Sequence, residues 1–215
     1  MKIKYWRSGV DNIVEFQYVK ELFDKNTAHK DKFGFRDKLE HTKRVYMWAN
    51  RLLEYEKADK AVVLMGVIFH DVGYLFADKE HPRYSAEICR EYLEKACYDH
   101  EFIDKVVDIV TNHVNKELLD DPNTSMEQII LIEADCLDES GAMSVLRDAI
   151  SEGLSGVESY NKVYKRLCER SIIKKTKKFR CVTATAKKFW LEKQQLYIGF
   201  LSSLKYDLGE LDDNG

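Results

Sequence analysis

Only two prolines, Pro82 and Pro122, interrupt a chain of 215 residues. Proline inside a helix removes a backbone hydrogen bond and clashes with the preceding turn, so helices end near it. So few breakers, with apolar residues recurring every three or four positions, point to an all-α chain. The pattern predicts helices over Asn12–Lys25, from Lys38 through "LEHTKRVYMWANRLLEYE", through "KADKAVVLMGVIFHD", from Pro82 through "RYSAEICREYLEKA", and through "DHEFIDKVVDIVTNHV". The third of these is apolar nearly all round, so it is expected to be buried. Gly73 is placed to end it. "NTAHKDKFGFRDK" and "FADKEHP" read as loops. "LLDDPNTS" breaks the pattern, and Asn123, Thr124 and Ser125 are cap candidates for a helix over "MEQIILIEADCLDE". "SGAMSVLRDAISEG" and two further helices within 156–207 complete the chain, and the tail "GELDDNG" reads as frayed. Trp48 and Trp190 read as core.

No linker or internal repeat divides the sequence, so a single domain over 1–215 is expected. A 45% hydrophobic fraction is enough for a real core. The net charge of −3 exerts no global pull toward nucleic acid or an anionic membrane. The basic stretch "KKTKKFR" at 174–180 carries one aromatic and reads as a solvated loop, so no nucleic-acid partner is expected. No apolar run reaches the ~18 residues of a spanning helix, and the N-terminus lacks the apolar segment of a secretory signal. The five cysteines are odd in number and form no C-x-x-C, which fits a reduced, cytoplasmic protein without a disulfide framework or thiolate zinc site.

The apolar segment "VVLMGVIFHDVGYLF" ends in a His-Asp pair, His70 and Asp71. Burying both costs free energy unless a hydrogen bond or a metal satisfies them. Other polar residues fall on inward faces too. His41 shares a stripe with Val45, His81 opens the fourth helix, His113 ends the fifth, and Asp135 follows a strongly apolar run. The spacing is H-x28-H-D-x9-H-x31-H-x21-D. Imidazole suits iron, zinc, nickel and copper, and carboxylate adds affinity for manganese and magnesium. Asp71 has two oxygens and is able to serve one ion with each. Two-metal sites stabilise attacking and leaving oxygens in displacement at phosphorus. Taken singly, His113 reads as a core residue, His81 as a helix cap through Pro82, and Asp135 as a group satisfying a helix terminus. His29 and His100 lie in polar stretches and read as surface. Arg44, one turn after His41, has the planar geometry for phosphate. Lys116, Arg83 and Arg147 are further candidates, each also readable as a solvated charge. Glu133 and Asp138 flank Asp135 and either orient ligands or face solvent.

The ordered set His41, His70-Asp71, His81, His113 and Asp135 resembles the HD-domain superfamily of metal-dependent phosphohydrolases, in its six-ligand variant. "EHTKRV" resembles the first-histidine helix, and "IFHDVG" the segment usually written H-D-I-G. "HPRYSA" and "EADCLDESGA" resemble segments of the small bacterial members. The match covers roughly residues 36–150, with 156–207 as a helical extension. The resemblance implies an HD-domain helical bundle with a metal site in its core. One ion would take His41, His70, Asp71 and Asp135, and a second Asp71, His81 and His113. It implies one or two divalent transition ions, iron or manganese first, with cobalt, nickel, zinc or magnesium possible. Asp71 is then central to catalysis, and Arg44 and Lys116 would face phosphate. The implied reaction is hydrolysis of a phosphate ester or phosphoanhydride in a small molecule, a nucleotide or dinucleotide polyphosphate foremost. Diiron oxygenases of the myo-inositol oxygenase type are similar in ligand set, and some HD domains serve as non-catalytic sensors, so both remain alternatives.

Overall fold

The computed structural model describes residues 13–26, 37–156, 159–169 and 181–209. Nine α-helices fall among them: α1 (Val14–Lys25), α2 (Lys38–Leu53), α3 (Lys60–Phe69), α4 (His81–Lys95), α5 (His100–Asn112), α6 (Met126–Asp138), α7 (Ala142–Leu154), α8 (Tyr160–Glu169) and α9 (Ala184–Asp207). The described residues contain no strand. No helix among them is long and apolar enough to cross a membrane. The fold is all-α, as the periodicity required. His29 and the basic stretch 174–180 lie outside the described residues.

Helix starts follow capping chemistry. Asp37 accepts from the Glu40 N–H (3.0 Å), Asp59 from the Ala61 N–H (2.9 Å), Asp99 from the Phe102 N–H (2.9 Å) and Thr183 from the Ala186 N–H (3.1 Å). Each such cap is worth about 1 kcal/mol. Of the three candidates before α6, Ser125 does the capping, accepting from the Gln128 N–H at 3.3 Å.

The chain divides into two compact units, residues 1–135 and 136–215, with the division inside α6. In the first unit α3 is central, touched by α1, α2, α4 and α5. Its Val62, Val63, Val67, Ile68 and Phe69 are all buried, which is why it is apolar all round. Val45, Ala49 and Leu52 of α2, Cys89 and Leu93 of α4, and Val106, Ile109 and Val110 of α5 complete this core.

In the second unit α7, α8 and α9 contact one another. The Tyr197 hydroxyl, buried in α9, donates to the Leu167 carbonyl at 3.1 Å. Gly141 precedes α7 at φ +63° and a Cβ there would meet the Lys193 stem at 2.9 Å, so only glycine fits without strain.

Two expectations need correction. Trp48 and Trp190 are half-buried rather than core; the Arg51 guanidinium lies 4.5 Å over the Trp48 ring and shields it. Gly73 does not end α3. The helix stops at His70, and Gly73 sits inside a short 3-10 turn, Val72–Leu75. Its reason is close approach: a Cβ would stand 2.1 Å from the His81 carbonyl oxygen and 2.6 Å from the Ser85 nitrogen. The Gly73 N–H donates to Ser85 Oγ at 2.8 Å, which seats the start of α4 against the end of α3.

Candidate metal centre

The close seating at Gly73 brings His81 beside the His70-Asp71 pair, and the rest of the first unit adds three more ligand-type side chains. His41 comes from the first turns of α2, His113 from the end of α5, and Asp135 from the last turn of α6. His70, Asp71, His81 and His113 are buried; His41 is partly so.

Three imidazoles share one local geometry. His70 Nδ1 lies 2.7 Å from the Val67 carbonyl, His81 Nδ1 2.6 Å from that of Asp78, and His113 Nδ1 2.7 Å from that of Val110. In each case the carbonyl belongs to the residue three positions earlier. A carbonyl only accepts, so each Nδ1 carries its proton and donates, and the neutral ring presents a lone pair at Nε2. The freed nitrogens converge. His70 Nε2 stands 3.4 Å from His41 Nε2, and His81 Nε2 stands 3.2 Å from His113 Nε2. Facing lone pairs repel unless a proton or a cation lies between them. Two nitrogens sharing an ion at ~2.0–2.1 Å are roughly 3.0–3.4 Å apart, so the spacing fits a metal.

Asp71 joins the two pairs. Its Oδ2 is 3.5 Å from His41 Nε2, and its Oδ1 is 3.6, 3.5 and 3.5 Å from the Nε2 atoms of His70, His81 and His113. Two groups able to hold an ion result, His41–His70–Asp71 and Asp71–His81–His113. Asp135 Oδ1 approaches His41 Nε2 at 3.2 Å, on the outer side of the first group.

The electrostatics match this crowding. Burial drives the His70 imidazole down to about 4, against the opposing pull of Asp71. Burial also lowers His81, although the Asp78 carbonyl and Asp71 work the other way. Burial alone would raise the Asp71 carboxyl; His70, the hydrogen bond with His113, Lys38 and His41 outweigh it and hold Asp71 well below the usual carboxylate range. Asp135 is likewise held down, its burial overcome by His41 and His70. His113 is raised, because its contact with Asp71 outweighs burial.

The candidate basic residues fare differently. Arg44 stands half-buried on α2, one turn beyond His41, and Lys116 is exposed at the start of a 3-10 turn, Lys116–Asp120. Arg83 is exposed and pairs with Glu87 at 2.7 Å, as a solvated charge does. Arg147 pairs with Glu139 at 3.3 Å and Asp148 at 3.1 Å within the second unit. Glu133 and Asp138 are both buried, so neither faces solvent. His100 is exposed, as its polar surroundings predicted.

One residue escaped sequence reasoning. Lys38 Nζ lies 3.2 Å from Asp71 Oδ2 and 3.4 Å over the Tyr74 ring. A lysine opening a helix looks like any solvated charge. The available signal was its spacing, three residues before His41, which puts both on one face.

Residues 39–140 match the HD domain family. Solved structures resemble the whole chain at low identity. An HD-superfamily hydrolase from Bacillus thuringiensis is 20% identical, with 92% of this chain and 96% of that one covered and a TM-score of 0.70. A predicted HD superfamily hydrolase from an uncultured Thermotogales bacterium is 20% identical, with 91% of each chain covered and a TM-score of 0.62. Bacillus subtilis YpgQ is 20% identical, with 92% of this chain and 96% of that one covered and a TM-score of 0.65. No curated protein matches the chain. The solved structures speak for the fold alone; the span 39–140, which is similar to the HD domain family, holds the full His/Asp set.

Proposed function

We propose that this protein is a metal-dependent phosphohydrolase that cleaves a phosphate ester or phosphoanhydride of a small molecule. The observation that carries the reading is the convergence of four Nε2 atoms on Asp71, in pairs 3.2 and 3.4 Å apart, with three of the four rings locked by backbone carbonyls. Proteins of similar fold described as HD-superfamily hydrolases support it. Nucleotides and dinucleotide polyphosphates are the leading substrate class, by resemblance to small bacterial HD hydrolases.

In this reading His41, His70, Asp71 and Asp135 hold one divalent ion and Asp71, His81 and His113 a second, with iron or manganese foremost. Such ions lower the pKa of a coordinated water toward ~7 and polarise a phosphoryl oxygen. The chain's own groups do the rest. The Val67, Asp78 and Val110 carbonyls fix three rings in the ligating tautomer and orient them. Asp71 spans both groups and sets their separation. Arg44 on α2 and Lys116 in the turn after α5 would help neutralise phosphate. The two units together would form one HD domain with a helical extension, acting in the cytoplasm.

The test is turnover. Untagged protein is screened against nucleotide and dinucleotide phosphates with Mn²⁺, Fe²⁺, Co²⁺ and Mg²⁺. Metal-dependent phosphate release is expected. Two bound irons with dioxygen consumption and no hydrolysis would contradict it and favour the oxygenase.

A further inference from the structure

We infer that Lys38 is the residue that receives the anionic group of the substrate, an inference that rests on the phosphohydrolase reading. Its ammonium lies 3.2 Å from Asp71 Oδ2 and 3.4 Å over the Tyr74 ring. The other face of Tyr74 stacks on the His81 imidazole, with ring centroids 3.8 Å apart and planes 18° apart. His81 Nε2 in turn lies 3.5 Å from Asp71 Oδ1. Lys38, Tyr74, His81 and Asp71 thus close a loop that holds a cation at the border of both ligand groups.

Exposure gives the loop a direction. The Lys38 side chain is 26% exposed, against 7% for Asp71 and 0% for His70. The cluster meets solvent at the Lys38 ammonium and, on the side of the first ligand group, at Asp135 (22% exposed), so a substrate arriving there meets the ammonium. Charge says what it meets. Asp71 Oδ2 also faces His41, so an ion in the first group would draw on the same oxygen as Lys38. Two cations cannot share one carboxylate oxygen at contact without repulsion. A flexible four-carbon stem lets the ammonium turn to an anion that touches both it and the ion. A phosphoryl group has oxygens enough for both. The cation–π contact with Tyr74 holds the stem near the mouth in the meantime.

The test uses whole protein and inorganic phosphate. Mn²⁺ is titrated calorimetrically into metal-free wild type, Lys38→Met and Lys38→Arg, and phosphate is then titrated into each loaded protein. Lys38→Met should bind Mn²⁺ at least as tightly as wild type but phosphate about 10–100-fold more weakly, the range of one lost charge-assisted hydrogen bond. Lys38→Arg should restore much of the phosphate affinity. If Lys38→Met folds poorly, the arginine variant still decides, because loss of phosphate binding in a folded protein that keeps its charge would count against the inference. Equal phosphate affinity in wild type and Lys38→Met overturns the inference and leaves the hydrolase reading standing. A Lys38→Met protein that no longer takes Mn²⁺ also overturns it, since Lys38 would then support the ligands rather than the substrate. A wild type that binds no metal overturns the hydrolase reading and this inference together.

Discussion

Both units of the chain bury charged side chains, and they satisfy them in opposite ways. In the second unit, the Glu152 carboxylate is 1% exposed and pairs with Arg166, and Asp148 pairs with its neighbour Arg147 at 3.1 Å. Both of these anions have a cation from their own unit. In the first unit, four imidazole nitrogens and a carboxylate face one another across 3.2–3.6 Å. The nearest lysine is one positive charge for a cluster of two carboxylates and four lone pairs. Internal pairing offsets the cost of burying a charge, and removing one partner exposes that cost; burial of converging acceptors keeps a place for a cation. That difference separates a structural cluster from a functional one.

The largest effect should come from Asp71→Ala. Asp71 alone belongs to both ligand groups, so metal binding and turnover should both be lost, beyond the 10–100-fold that outer contacts to a metal site cost. Full metal content in this variant would mean that the first-unit cluster is structural, like the second. His113→Ala should remove one group and leave the other, lowering the metal content from two ions toward one. Unchanged stoichiometry would make His113 a core residue.

The protonation pattern makes a third, smaller prediction for the metal-free protein. His70 sits near 4 when folded against ~6.5 unfolded, so its contribution is present above pH 6.5 and is lost as pH falls toward 4, by up to ~3 kcal/mol. His81 is lowered too and acts in the same sense. His113 is raised, so its contribution is present below pH 6.5 and is lost as pH rises through its folded value. Thermal melts in chelator should therefore fall away on the acid side, and His70→Gln should flatten that limb. A limb unchanged by the substitution would show that His70 is not the group responsible. The smallest effect is expected from Arg166→Met. It leaves Glu152 without its cation at a cost of about 1–2 kcal/mol, tempered because Arg166 is half-exposed. Metal content should not move. If it does, the two clusters are not independent.

How much of this was legible beforehand follows from where each signal lies. The helices are local, so their period revealed them, and Ser125 was among the cap candidates read before α6; the caps at Asp37, Asp59 and Asp99 emerged only in the structure. The six His/Asp residues stood out because each occupies an apolar stripe where a polar group has a cost. Lys38 was missed because nothing local distinguishes it; only the fold brings it against Asp71. Gly73 was recognised as a breaker, but its purpose, the contact with the His81 backbone, is tertiary. Trp48 was misplaced because its apolar ring predicts burial, while the Arg51 guanidinium over it is a surface solution to the same need. The division near Asp135 left no trace, since it falls inside α6 with no linker to mark it.

The most direct measurement is the metal content of untagged wild-type protein, with the ions located by anomalous scattering in a crystal. The account predicts one or two transition ions per chain, the first between His41, His70 and Asp71 and any second between Asp71, His81 and His113. A protein that carries no metal after exposure to Fe²⁺ and Mn²⁺, with the His70-Asp71 pair held by protons alone, would contradict it.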